Sequence, residues 1–195
     1  MAYRSASDVD VASRALVMSG TKPINSFEDG TVEADVARLL YEDIAAAALT
    51  STSWRFAMTQ RELNRLSVKP VGRGVIAWQV PADCLQIRAL TINSTPAAFE
   101  RYENNLHTDA VDENSVAVLE YTRRVDTASW PPHFVIAVQH MLASEFSIAI
   151  GQNEQLSNLH AQKGQMLIRN ARSIDAQGRT NSVMDTKRYL NHRRT

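Results

Sequence analysis

The sequence predicts an α+β fold: a helical bundle built from both ends of the chain, a central small antiparallel β region, and an extended C-terminal arm. Three observations carry this expectation. Apolar residues recur at helical spacing near the N-terminus, as in Val9, Ala12 and Leu16, and again after residue 129, as in Phe134, Val138, Met141 and Leu142. Between these blocks the pattern shifts to alternation, as in Leu85, Ile87 and Ala89 interleaved with Gln86 and Arg88. After Asp175 periodicity is lost and cations gather. The chain therefore divides into helices over 1–52, a β-rich region over 53–128, helices over 129–175, and a basic arm over 176–195.

The first helix begins at Ser7 or Asp8, either of which can cap free backbone N–H groups, and stops at Gly20, with Lys22-Pro23 preventing continuation. The loop from Pro23 to Gly30 is polar, and Ile24 and Phe27 should pin it to the core. Thr31 caps a longer helix reaching about Thr50, with Val36, Leu40 and Ile44 as an i, i+4 ladder. Glu28, Asp29, Glu33 and Asp35 cluster at its start, where the helix dipole favours negative charge.

Trp54, Phe56 and Met58 alternate with Arg55, Ala57 and Thr59 and read as a strand. Lys69 to Gly74 is a turn-rich connector, and Val75–Val80, Leu85–Ala89 and Val116–Thr122 are strands. Phe99–Tyr102 and Leu106–Val111 are weaker strand candidates, and Asn93-Ser94-Thr95-Pro96 is a turn. Helices return at Trp130-Pro131-Pro132, because proline is tolerated where the N–H has no intrahelical partner. This third helix is apolar almost all round up to Gly151, which predicts burial on several sides or at a subunit contact. A fourth helix spans about Asn153 to Asp175, with Leu156, Leu159, Leu167, Ala171 and Ile174 as its stripe and Lys163 interrupting it.

Composition bounds the chemistry. With 21 basic and 21 acidic residues the formal charge is zero, so overall charge argues for neither a nucleic-acid nor a membrane-surface protein. One cysteine, Cys84, can neither staple the fold nor build a Cys-rich zinc site, and it fits assembly in a reducing cytoplasm. No apolar run approaches the roughly 20 residues of a membrane span, and the polar N-terminus does not read as a signal peptide.

No Gly-x-Ser-x-Gly elbow is present, and Gly72-Arg73-Gly74 lacks the Gly-Lys-Ser/Thr of a phosphate loop. Among the five histidines, His133 and His140 share a helix at a spacing of seven, unlike an i, i+4 metal pair, and packing explains them better. The acids at 28–35 lack the spacing of a calcium loop, and Cys84 has no sequence-local histidine or cation to activate it. Neither cofactor nor metal is expected. The arm holds Arg179, Lys187, Arg188, Arg193 and Arg194 against Asp185, with Tyr189 and Leu190 embedded among them. A protein partner, nucleic acid and no partner at all are equally compatible with that spacing.

Short segments in order along the chain carry a family resemblance. They are Ala15 to Gly20, Pro23-Ile24, Ser26 to Gly30, Glu33-Ala34, Leu40-Tyr41, Trp54 to Ala57, Gln79 to Leu85, Tyr121 with Arg123, Trp130-Pro131-Pro132 with Phe134, and Arg188 to Arg194. Together they resemble tailed-phage head–tail adaptors of the tail tubular protein A type. The resemblance covers nearly the whole chain, and the ordered set is more specific than any piece.

It implies a non-enzymatic virion protein at the head–tail interface, assembled in the host cytoplasm. Such adaptors form rings of twelve between the portal and the tail nozzle, with DNA passing through the lumen and no membrane involved. The family's arm embraces the portal, which assigns docking to Lys187, Arg188, Tyr189, Leu190, His192, Arg193 and Arg194. Repulsion of DNA by a channel wall suggests that some of Glu28, Asp29, Glu33, Asp35, Asp109, Asp112 and Glu113 line the lumen or face a neighbour. The alternatives are a DNA-binding packaging accessory, supported by the arm alone, and a tail-associated hydrolase with dispersed catalytic residues.

Overall fold

The structure, a computed structural model, describes residues 6–67, 70, 74–109 and 115–177. It is α+β, with four helices and two small antiparallel sheets. Helix α1 spans Asp8–Met18 and α2 spans Val32–Thr50. Ser7 caps α1 in a full capping box with Asp10, and Thr31 caps α2 through the Ala34 N–H. Gly20 and Gly30, after α1 and before α2, both take positive φ, which glycine adopts without a Cβ penalty.

The sheets are interleaved in sequence. Strands β1 (Met58–Glu62), β7 (Ala117–Arg123), β3 (Cys84–Ile92) and β4 (Thr95–Pro96) form one sheet in the order β1-β7-β3-β4. Strands β2 (Ile76–Gln79), β6 (Asn105–Thr108) and β5 (Glu100–Tyr102) form the other, in the order β2-β6-β5. Asn93 and Ser94 both take positive φ, the signature of the tight turn that joins β3 to β4, and Pro96 sits on the sheet edge where a missing donor costs nothing. Residues from both sheets share one core: Leu63, Trp78, Leu90, Leu106, Leu119 and Tyr121.

Helices α3 (Pro132–Ala149) and α4 (Glu154–Gln177) complete the fold. Helix α3 is the hub, in contact with α1, α2 and α4. Ten of its 18 residues are buried, so most of its unusual apolar surface is covered within the chain itself. Ile136 and Ile148 remain about half exposed. The second core gathers around it. Phe134 is surrounded by Trp54, Phe56 and Trp130, with ring centroids 5.1, 5.0 and 5.0 Å away.

Three expectations are corrected. Trp54 to Ala57 is a turn rather than strand: the Ala57 and Met58 N–H groups bond back to the Trp54 carbonyl, and pairing with β7 starts only at Met58. Burial of Trp54 and packing of Phe56 on Phe134 fix that turn, a tertiary demand that alternation does not reveal. On α4, Leu159 and Ile174 are exposed, and the buried positions are Ser157, His160, Gly164 and Ala171. Small residues let the α3 and α4 backbones approach: a Cβ on Gly164 would lie 3.2 Å from Met141 Cγ. Helix α4 also continues through Ala176 and Gln177.

Candidate functional site

The four acids at the start of α2 do not converge. Asp29 turns back on its own loop, accepting from the Asn25 and Ser26 N–H groups at 2.7 and 3.1 Å. Glu28 is exposed beside it, and Asp35 forms a 3.4 Å pair with Arg38. Glu33 and Asp35 both sit in the first turn of α2. Among the described residues no group of three or more His, Cys, Asp or Glu side chains is arranged to hold a metal ion. Asp109 is exposed after β6, on the rim of a cleft of about 290 Å³ with Gly74, Phe99, Glu100 and His107. Asp112, Glu113 and the docking residues Lys187, Arg188, Tyr189, Leu190, His192, Arg193 and Arg194 lie outside the described residues.

The larger groove, about 540 Å³, runs between α3 and α4 near the end of α2, lined by Ser51, Met141, Ser144, Gln165, Ile168 and Arg169. Its serine hydroxyls are already engaged: Ser51 Oγ donates to the Ala48 carbonyl at 2.7 Å, and Ser144 Oγ donates to the Ser157 carbonyl and lies 3.1 Å from Ser157 Oγ. Cys84 is partly buried, and burial pushes its thiol up, away from the thiolate form that a nucleophile needs. No helix among the described residues is long and apolar enough to cross a membrane.

Polar joints tie the elements together. The Tyr41 hydroxyl lies 2.9 Å from Thr127 Oγ1 and donates to Asp8 at 3.1 Å, tying α2 to α1 and to the approach of α3. Burial raises that phenol well above its usual range. Arg124 donates to both carboxylate oxygens of Glu42 at 2.7 and 2.8 Å, a bidentate pair that holds the Glu42 carboxyl below its ordinary value. Arg88, expected on the polar face of a strand, reaches off β3 to the Thr52 carbonyl at 2.9 Å and Thr122 Oγ1 at 3.0 Å. It latches the larger sheet to the end of α2.

The histidines pair in a way that spacing did not foretell. His140 on α3 meets His160 on α4, twenty residues away, with Nδ1 atoms 2.9 Å apart. His160 Nε2 lies 3.1 Å from the Met18 carbonyl at the end of α1. A carbonyl only accepts, so Nε2 of His160 is the donor to Met18; with that ring neutral, its Nδ1 accepts from His140 Nδ1–H. Burial, then the nearby His160 and Lys163, lowers the His140 pKa from its ordinary value. Sequence spacing misses this joint because it depends on how two helices pack. No protein-family model matches the chain, and no curated protein is similar to it.

Proposed function

We propose that this protein is a head–tail adaptor of a tailed bacteriophage, a structural subunit without catalytic activity that stands in a ring of twelve between the portal and the tail nozzle. DNA passes through the lumen of that ring without being bound by sequence, and no cofactor takes part. The observation that carries the reading is the ordered resemblance along the chain, quoted from Ala15 to Arg194. Several of its segments meet in the interior. Trp54, Phe56, Trp130 and Phe134 meet in one aromatic cluster, Tyr41 bonds toward Thr127 and Asp8, and Tyr121 donates to Asp83 at 3.0 Å. Residues shared with a family at such joints support a shared fold, and a shared fold with the terminal Arg188 to Arg194 segment supports the shared role.

In this reading the terminal segment docks on the portal through Tyr189 and Leu190, with Lys187, Arg188, His192, Arg193 and Arg194 setting register on an acidic surface. Some of Glu28, Asp29, Glu33, Asp35, Asp109, Asp112 and Glu113 line the lumen or face a neighbour. The test is reconstitution with the portal protein of the same phage, read by pull-down and cryo-EM. A twelve-fold layer of this chain beneath the portal is the expected result. An isolated subunit that ignores the portal but binds DNA tightly, with steep salt dependence, would replace the adaptor reading with a packaging role.

A further inference from the structure

Two helices turn apolar rows outward. On α2, Val32 and Leu39 are each 66% exposed, and Ala46 continues the row at the same spacing of seven. Two turns of helix nearly close after seven residues, so the three fall on one line, opposite the buried Ala34, Ala37, Tyr41, Ala45 and Ala48. On α4, Leu159 and Met166 are 46% and 50% exposed and stand on a row completed by Ser173. Each row spans 15 residues, about 21 Å of helix between its ends. Both helices lean on α3, and neither row is covered within the described residues.

The charges around the rows are opposite. Helix α2 carries Glu33, Asp35, Glu42 and Asp43 against Arg38 alone. Asp35 and Asp43 are exposed and border the row, Asp35 also within 3.4 Å of Arg38, while the exposed Glu42 is already paired with Arg124. Between Gln155 and Ile174, α4 carries Lys163, Arg169 and Arg172 and no acid, and all three cations are exposed. Lys163 and Arg169 stand on either side of the Leu159–Met166 row by helical spacing.

We infer that the occupant of each row is the other row on a second copy of this chain: the acidic-bordered face of α2 packs against the basic-bordered face of α4 of its neighbour. The two faces are different surfaces, so the contact is head-to-tail, and repetition gives a closed ring or a filament rather than a two-fold dimer. Each row holds only two large apolar side chains, so a single contact is weak and association is favoured by concentration or by a template. This contact rests on the ring proposed above for its biological setting, yet it stands on the two faces alone.

The test reverses charge on one face at a time in the full chain. One variant is Asp35→Lys with Asp43→Lys; the other is Lys163→Glu with Arg169→Glu. All four positions are exposed, and circular dichroism checks that each variant folds. Sedimentation velocity over rising concentration should show the wild type associating, and each variant alone weakened by at least about tenfold, because like charges then face each other. A mixture of the two variants should associate again, as should one chain carrying all four changes. A wild type that stays monomeric to about 1 mM, the concentration scale of roughly 4 kcal/mol of binding, overturns the proposal. So does either variant associating as the wild type does, or a mixture that stays apart. Portal pull-down separates this outcome from the adaptor reading: a wild type that docks on the portal yet stays monomeric to about 1 mM sinks the α2–α4 contact and leaves the adaptor standing.

Discussion

Phe134 is fully buried and touches three other aromatic rings, from Trp54 and Phe56 in the turn before β1 and from Trp130 before α3. Truncating it removes the edge-to-face contacts together with the buried area, and the surrounding turn and helix cannot all collapse into the space. Phe134→Ala should therefore lower unfolding free energy by about 3–5 kcal/mol, read as a shift in the urea midpoint; a midpoint unchanged from the wild type would mean the cluster is not the keystone of the helical core. Gly74 makes a different demand. Its φ is +89°, and an added Cβ would lie 2.9 Å from His107 Cβ and 3.2 Å from the Thr108 N. Gly74→Ala is strained in both backbone and space, so it should destabilise by about 1–3 kcal/mol and loosen the β2–β6 pairing, visible as faster amide exchange at Thr108. Phe134 was legible in the sequence as part of an apolar helical face, whereas its meeting with Trp54 and Phe56 was not, because those two read as strand. The joints made by Arg88 and His160 were not, because an arginine on a strand and a histidine on a helix are ordinarily solvent-facing, and only the neighbouring element shows what they reach.

At the scale of elements, helix ends were the most legible feature. Ser7, Thr31 and the Pro131-Pro132 pair announce their helices through local backbone chemistry, and Gly20 and Gly30 close loops that need positive φ. The face of α4 was misread because helix contact is decided by fit as well as apolarity. Gly164 lets α4 lie close to α3, while the leucines that mark the stripe stay at its edge or outside. An alanine there asks only Met141 Cγ to move, but Gly164→Leu must separate the helices and should cost about 1–3 kcal/mol by thermal unfolding. The histidine joint gives the same α3–α4 seam a pH dependence. The folded-state pKa of His140 is depressed from 6.5, so its contribution is complete above that value, where both states are neutral. As pH falls below 6.5 the unfolded chain takes up the proton first, and stability declines until the folded His140 titrates as well. The melting temperature should therefore drop more between pH 7.5 and pH 5 in the wild type than in His140→Asn. Identical drops in the two proteins would assign the pH dependence to other groups.

At the scale of the molecule, the order of helices, sheet and helices was legible because hydrophobic periodicity changes twice along the chain. That the sheet region splits into two interleaved sheets was not, since pairing partners such as β1 with β7 lie some sixty residues apart, as in Gln60 opposite Glu120. The terminal segment is the part of the proposed mechanism that can be separated from this architecture. Both cores are built, among the described residues, from side chains between Ala6 and Ala171. Helix α4 is tied at its far end by Asp175, which accepts from the Arg55 N–H at 2.9 Å. Removing residues 186–195 leaves every one of these interactions in place, so the truncated chain should keep its circular dichroism and its melting temperature. In the proposed docking it loses Tyr189 and Leu190 as apolar anchors and Lys187, Arg188, Arg193 and Arg194 as charge contacts. Portal docking should therefore vanish while folding is untouched. A milder variant, Tyr189→Ala with Leu190→Ala, keeps the charge and should slow release less than full deletion does but clearly more than wild type, since anchors act mainly on dissociation. Charge removal with the anchors kept should instead reduce the association rate and its salt dependence. A truncated chain that docks normally in a portal pull-down would take the terminal segment out of the mechanism altogether.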